Sequence, residues 1–448
     1  MKRKPNVLLV VPRYETYGMP GHYVMPMGIL YVSAFLKRAG TANVFTLNLN
    51  HVEGDEKAML ADAIERNDID VFGVGGLSGE YRDMARMLRF AREIRPAMTL
   101  ILGGGIVTGD PATTMTACPE ADFGIIGEGE LTMVELLDAL AGGKDDMSDI
   151  DGLIYRKGDE FIVTGKRSEI KDLDSLPFPD YEGFDYGAYL RTNPDISDEG
   201  KLYSQVSVIG GRSCKYNCTF CFHPSGTSYR QRSLDSIFAE IDHLVSHYDI
   251  SYIALREELF ATDNLRVDEF CRRMEGYDFD WSIQLRIDSI NPGLIEMLRG
   301  TRCRYVFVGI ESAHDAVLRS MHKGITLEQT ERALEMLRDA GLHSRSGLIF
   351  GDSAETAETA SWSLEWFLAN RSRYRMFVDM IIAFPGSILY NRACRSGAIP
   401  DPVRFLKDGC PIVNVSSMSD DEFDGLVSKI EKINGRIYNV KHYRRNEE

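Results

Sequence analysis

Gly210-Gly211-Arg212-Ser213-Cys214-Lys215-Tyr216-Asn217-Cys218-Thr219-Phe220-Cys221 sets three cysteines at C-x3-C-x2-C spacing, directly after an apolar run, Val206 to Ile209, that reads as a strand. Three thiolates on one loop match three corners of an iron-sulfur cubane and leave one iron for a substrate to chelate. Zinc is the competing reading, with His223 as fourth ligand. Zinc sites, however, usually pair two C-x2-C units or one such unit with a distant His pair, and no second unit exists here. The other cysteines, Cys118, Cys271, Cys303, Cys394 and Cys410, stand singly in periodic segments, which is not a disulfide framework.

Around this loop the chain alternates short apolar runs with amphipathic segments. Strands are predicted at Val206 to Ile209, Tyr252 to Leu255, Trp281 to Arg286, Tyr305 to Ile310, Ser346 to Phe350 and Met376 to Ile382, with helices between them. Six βα repeats over 201–394 predict a partial TIM-type barrel, open on one side, whose site lies on the loops at the strand C-termini. A small helical cap is expected over 395–448, where the pattern weakens.

Upstream, five βα units predict a parallel, doubly wound Rossmann-like sheet over 1–148, starting with the strand Val7-Leu8-Leu9-Val10-Val11. Ligands of such sheets bind beyond the strand C-termini, where this chain places Gly75-Gly76-Leu77-Ser78-Gly79, Gly103-Gly104-Gly105 and Gly127-Glu128-Gly129-Glu130. Each cluster alone is a tight strand-to-helix turn. Together, after three successive strands, they point to backbone approaching a large ligand. A hairpin around Lys157-Gly158-Asp159 and a Pro- and Tyr-rich linker fill 149–200.

The composition, 44% hydrophobic and 26% charged over 448 residues, is that of an ordinary globular chain. A net charge of −16 opposes a nucleic-acid partner, because affinity for a phosphate backbone rests on Lys and Arg. The basic end, Lys441 to Arg445, reads as a solvated tail. No run approaches the ~18 apolar residues that cross a bilayer, and no signal segment precedes the first strand, so a cytoplasmic location without a membrane partner is expected.

The cysteine loop, with Phe220 before its third cysteine, resembles the signature of the radical S-adenosylmethionine (SAM) enzymes. The resemblance implies a [4Fe-4S] cluster on Cys214, Cys218 and Cys221, SAM chelating the open iron, reductive cleavage to a 5′-deoxyadenosyl radical, and an external electron donor such as flavodoxin or ferredoxin. Val308-Gly309-Ile310-Glu311-Ser312 is similar to the family's G-[IV]-E-S element, which implies that Glu311, with Ser312, meets the SAM ribose; a carboxylate suits two vicinal hydroxyls because it only accepts. Phe350-Gly351-Asp352-Ser353-Ala354-Glu355-Thr356 resembles its G-x-P-x-E-T turn, with Ser353 for proline. Ala383-Phe384-Pro385-Gly386-Ser387 resembles its P-x-P-G-T, with Ala383 in first place. Arg345 is a candidate partner for the SAM carboxylate. Where the family has Asp-Asp-x-Phe near the SAM amine, this chain has Glu257-Glu258-Leu259-Phe260, so that role passes to Glu257 or Glu258.

A doubly wound domain before such a barrel resembles the cobalamin-binding branch of the family. Pro26-Met27-Gly28-Ile29-Leu30-Tyr31 looks like that branch's P-x-G-L-x-Y helix start, and Gly103-Gly104 and Gly127-Glu128-Gly129-Glu130 like its G-G and G-E-G-E elements. By this resemblance Gly75, Gly76, Ser78, Gly103, Gly104, Gly105, Gly127, Glu128 and Gly129 bind cobalamin, with Ser78 on the tail base or as a helix N-cap. The axial histidine motif D-x-H-x-x-G is missing. His22 lacks its surroundings, and His51-Val52-Glu53-Gly54 follows the wrong strand, with Leu49 in the Asp position, so His51 is read as a loop residue and the cobalt as without a protein histidine. Tyr14, Tyr17, Tyr23 and the Tyr181 to Tyr189 stretch are candidate lining residues that aromatic packing explains as well. The expected function is C-methylation of a small metabolite or natural-product intermediate through methylcobalamin. Cyclisation or skeletal rearrangement without methyl transfer is the alternative. A non-catalytic cobalamin or iron-sulfur sensor is disfavoured by the intact triad. Methylthiolation of tRNA would need three cysteines in the N-terminal domain, which has only Cys118.

Overall fold

Val7 to Val11 are at most 2% exposed, as expected of a central parallel strand covered on both faces. The computed structural model describes residues 3–14, 23–193, 195–196, 200, 202–260 and 263–443; Tyr17, His22 and the last five residues, with the end of the basic tail, lie outside them. The chain divides into two compact units.

The first unit is built on seven strands: β1 (Asn6–Val11), β2 (Asn43–Asn48), β3 (Val71–Gly75), β4 (Thr99–Gly103), β5 (Phe123–Ile125), β6 (Leu153–Lys157) and β7 (Glu160–Val163). Their order is β2-β1-β3-β4-β5-β6-β7, with the first five parallel. The 2-1-3-4-5 core is the flavodoxin-like winding, whose switch point lies between β1 and β3. The hairpin β6-β7, expected from the sequence around Lys157-Gly158-Asp159, extends this sheet antiparallel to β5. The unit runs to Pro194 and also includes 222–226 and 401–410. The helix Pro402–Lys407 within it packs on Pro111–Ala117, so the stretch 395–448 is not one cap.

In the second unit come two ribbons, β8 (Asp195–Ile196) with β9 (Leu202–Tyr203), and β11 (Gly211–Arg212) with β12 (Arg230–Gln231). Its main sheet comprises β10 (Gln205–Val208), β13 (Tyr252–Leu255), β14 (Asp280–Leu285), β15 (Cys303–Glu311), β16 (His343–Phe350) and β17 (Met376–Met380), in that order and all parallel. This is the six-stranded open barrel read from the sequence. One face of β15 presents Val306, Val308 and Ile310, none more than 3% exposed. The opposite face presents Tyr305 and Phe307, clustered with Tyr203 and Tyr252. A row of rings behind β14, Phe260 on Phe270 and Phe270 on Trp281 at 5.0 and 5.2 Å between centroids, locks the helix Asn264–Met274 to the sheet. Burying each such ring contributes about 1.5–3 kcal/mol. The helix Asp420–Asn434 packs on β17 and so closes over this unit. Among the described residues no helix is long and apolar enough to cross a membrane.

Candidate active site

The cysteine loop leaves β10 at its C-terminal end and is fastened at both ends. Gly210 N–H donates to Glu257 Oε2 at 3.1 Å, and Arg232 N–H donates to Gly210 O at 2.9 Å. The Arg232 guanidinium donates to Ile209 O at 3.1 Å and forms a buried ion pair with Glu240. Thr219 N–H donates to Met321 O at 3.0 Å, while Thr219 O accepts from Leu389 N–H at 2.8 Å. Cys218 is buried and Cys214 and Cys221 are partly buried, all as free thiols. Burial pushes all three thiols up, Cys221 to about 12, and each lies within electrostatic reach of the others. Burial thus disfavours bare thiolates here, and the positive charge of a bound metal is what would stabilise them. Three free thiols on one loop, within electrostatic reach of one another, fit the three protein ligands of a cluster with one open corner.

Two carboxylates follow β13. Glu257 is 4% exposed, and burial raises it to about 7; one oxygen caps Gly210 and the other has no hydrogen-bond partner. Glu258, half-buried, is the carboxylate that raises Cys214 and Cys221. The two expected SAM-amine candidates therefore divide: Glu257 braces the loop, and Glu258 faces the sulfurs.

Glu311 ends β15 in the left-handed region, φ 69°, and its Oε1 lies 2.6 Å from Lys323 Nζ. The structure turns Ser312 elsewhere: it is 1% exposed and its hydroxyl lies 3.3 Å from Ser363 Oγ on the helix Ala357–Tyr374, which does not leave it for the ribose. Arg345 shares the interior face with its register partner Phe307 and stacks over Tyr305 at 4.8 Å. It therefore sits three residues below the Glu311–Leu348 pairing, toward the strand N-termini. That depth suits a bore residue better than a partner of the SAM carboxylate at the top. Phe220 is half-buried on the loop.

Two cations at this site were not singled out from the sequence. Arg286, just beyond β14, stacks its guanidinium 3.5 Å from the Tyr216 ring centroid and donates to Asp288 at 3.0 and 3.2 Å and to Lys323 O at 2.7 Å. Lys323 is the other. A cation closing a strand at the barrel's C-terminal face was the available signal for Arg286; Lys323 lies in a turn without a motif.

In the first unit the glycine loops largely explain themselves. A Cβ on Gly104 would lie 2.6 Å from Gly76 O, one on Gly75 3.0 Å from Gly103 C, and one on Gly76 2.8 Å from Met84 Cε. Likewise Gly105 abuts Leu77 at 2.8 Å and Gly129 abuts Val32 at 3.3 Å. Backbone blocks a side chain at Gly75 and Gly104, and neighbouring side chains crowd the other three, so approach to a ligand is not their only cause. Gly127, φ 78°, faces open space, and a Cβ on Gly103 would meet only Ile125 at 3.8 Å. A cavity of about 260 Å³ lies beside Gly127, lined also by Thr108, Glu128 and Thr164. Glu128 accepts Ile170 N–H at 2.6 Å, a structural lock. Ser78 opens the single-turn helix Ser78–Glu80 and is not the N-cap of Tyr81–Ile94; Glu80 holds that place, and its carboxylate accepts Leu77 N–H at 2.8 Å.

His51 has both ring nitrogens engaged: Tyr23 Oη lies 2.7 Å from Nε2 and Thr192 Oγ1 3.1 Å from Nδ1. Burial lowers its pKa. Tyr23 also accepts from Asn48 at 2.8 Å and meets Tyr189 edge-on at 5.3 Å, so these aromatics form packing within the unit. The histidine is a structural residue of this network. The doubly wound sheet, with open backbone at Gly103 and Gly127 and a cavity beside the latter, fits a large planar ligand with an extended tail.

The radical SAM superfamily model matches residues 208–366, the segment holding the cysteine loop, Glu257, Glu258 and Glu311. The protein is a radical SAM enzyme. A B12 binding domain model matches residues 18–137, and the chain belongs to the cobalamin-dependent branch of that superfamily, with a [4Fe-4S] cluster, SAM and cobalamin as cofactors. An uncharacterized methyltransferase of Pyrococcus horikoshii is 26% identical over 394 residues, 87% of this chain and 83% of the relative. An anaerobic magnesium-protoporphyrin IX monomethyl ester cyclase of Rubrivivax gelatinosus is 26% identical over 367 residues, 79% of this chain and 64% of its own. Among solved structures, the methyltransferase TsrM of Kitasatospora setae superposes with a TM-score of 0.71 at 18% identity, over 88% of this chain and 77% of that one. The cobalamin-dependent enzyme OxsB does so at 0.67 and 17% identity, over 96% and 62%. Both likenesses concern the fold.

Proposed function

We propose that this chain is a C-methyltransferase acting on a small metabolite or natural-product intermediate. When bound, the cluster with SAM supplies a hydrogen-abstracting radical and cobalamin a transferable methyl group. Cys214, Cys218 and Cys221 hold three irons, Glu258 receives the SAM amine, and Glu311 accepts from the ribose hydroxyls. Glu257, Arg232 and Arg286 hold the loop that carries the cysteines. Leu259 and Phe260, directly after the two carboxylates, are 2% and 1% exposed. The loops after β3, β4 and β5 receive cobalamin.

The observation that carries the methyl-transfer reading is His51, whose two ring nitrogens are both taken by the protein. His51 is thereby withheld from the cobalt, and a methylcobalamin held without that ligand would give up its methyl group more readily. The methyltransferase of Pyrococcus horikoshii, matched over most of its length, supports the same reading. The cyclase relative favours a second one, ring closure without net methylation. A net charge of −16 supports a small substrate over a nucleic acid, an electron donor of the flavodoxin or ferredoxin kind supplies the reducing equivalent, and the location is cytoplasmic. Incubation with SAM, cobalamin, reductant and candidate substrates separates the readings. Methylation yields S-adenosylhomocysteine together with 5′-deoxyadenosine; deoxyadenosine alone assigns cyclisation or rearrangement.

A further inference from the structure

The turn 321–324 is held against the cysteine loop from several directions. Met321 O accepts Thr219 N–H at 3.0 Å, and His322 O lies 3.9 Å from Cys218 Sγ. Lys323 O accepts from Arg286 at 2.7 Å, and Lys323 N–H donates to Leu318 O at 3.0 Å. His322 and Gly324 both have positive φ, 54° and 70°, as do Ser213 and Glu311 beside them, 64° and 69°. Non-glycine residues held in this region persist only where the surroundings over-determine them, and they gather at functional sites.

From this turn Lys323 sends its ammonium to Glu311, with side chains only 9% and 14% exposed. Gly309 is what makes room for the pair: a Cβ there would overlap Glu311 Oε1 and lie 2.6 Å from Lys323 Nζ. Lys323 also acts electrostatically on Cys214, Cys218 and Cys221. A long, flexible glutamate on a strand end has several rotamers, and a single short contact to a lysine fixed at its backbone selects one.

We infer that Lys323 is a positioning residue of the SAM site: its ammonium holds the Glu311 carboxylate in the orientation that receives the ribose hydroxyls, and the turn 321–324 ties that carboxylate to the cysteine loop. The inference rests on the assignment of Glu311 to the ribose. One of the two Glu311 oxygens is occupied by Lys323, so the other, with the remaining lone pairs of the first, meets the hydroxyls. Lys323 itself need not touch SAM.

The test uses anaerobically reconstituted holoenzyme and the variants Lys323→Met, Lys323→Arg, Gly309→Ala and Glu311→Gln. Iron and sulfide content, the SAM dissociation constant by calorimetry, and the paramagnetic resonance spectrum of the reduced cluster with SAM are the readouts. Lys323→Met is expected to keep its iron and sulfide yet bind SAM about ten-fold more weakly, with Lys323→Arg recovering to within about threefold, the size of one charge-assisted hydrogen bond. Gly309→Ala, which displaces the carboxylate without removing a charge, should weaken SAM in the same way. If Lys323→Met fails to hold the cluster, Gly309→Ala decides: unchanged SAM affinity there overturns the inference. Normal SAM affinity in Lys323→Met beside weakened affinity in Glu311→Gln overturns the role of Lys323 and leaves Glu311 standing. Normal affinity in both overturns the two together.

Discussion

Glu355 shows how a single buried group sets a pH dependence. It is fully buried beside Asp352, accepts Gly351 N–H at 2.6 Å, and is raised to about 8, first by burial and further by the Asp352 charge. A carboxyl whose folded value lies above its unfolded one stabilises the fold fully below about pH 4.5, and that contribution disappears as pH rises through about 8. At stake is on the order of 2–5 kcal/mol. Glu355→Gln keeps the acceptor for Gly351 and removes the charge, so it should gain thermal stability over the parent at pH 8.5 and little at pH 5.5. An equal difference at both pH values would contradict this. The cysteines could be found from the sequence because their chemistry is written in their spacing. Arg286 and Lys323 could not, because each acquires meaning from a partner brought in by the fold: Tyr216 lies 70 positions before Arg286, and Glu311 lies 12 before Lys323. Likewise Ser312 follows Glu311 directly but points to Ser363, since the bulge between Gly309 and Glu311 changes which side chains face the bore.

At the scale of elements, the loops after β3 and β4 are mutually dependent. Gly104 has φ 87° and ψ −168°, a region open essentially to glycine alone, and a Cβ there meets Gly76 O. Gly104→Ala should therefore cost about 2–4 kcal/mol, the backbone strain plus the displacement of the facing loop. Differential scanning calorimetry of the holoenzyme should show a lowered transition for the first unit, and cobalamin uptake should fall with it. A variant that melts with the parent would mean that the loops give way more easily than their geometry implies. The strands themselves were legible because each is a short apolar run between helical periods; their order was not, since right-handed crossovers allow more than one doubly wound order. That β6 and β7 join the sheet was not legible: an antiparallel edge strand carries no local mark of the strand it will pair with. The division of 395–448 between the units escaped for the same reason, since the helix Pro402–Lys407 is too short for its partners, Pro111–Ala117 and Tyr81–Ile94, to be read from periodicity.

For the whole molecule, two sheets of different winding each present a ligand edge, one with glycines and one with cysteines, and each unit has its own core. A net charge of −16 supports the proposal of a small substrate, since affinity for a phosphate backbone rests on Lys and Arg. All of it depends on three sulfurs that bind iron and leave one corner of the cube open. Electron paramagnetic resonance of the anaerobically reconstituted, dithionite-reduced protein, recorded without and with SAM, tests that directly. The account predicts a [4Fe-4S]⁺ signal whose g values move when SAM is added, and no such signal in Cys218→Ala. A protein that takes up zinc in place of iron, or a cluster whose spectrum is the same with and without SAM, would contradict it.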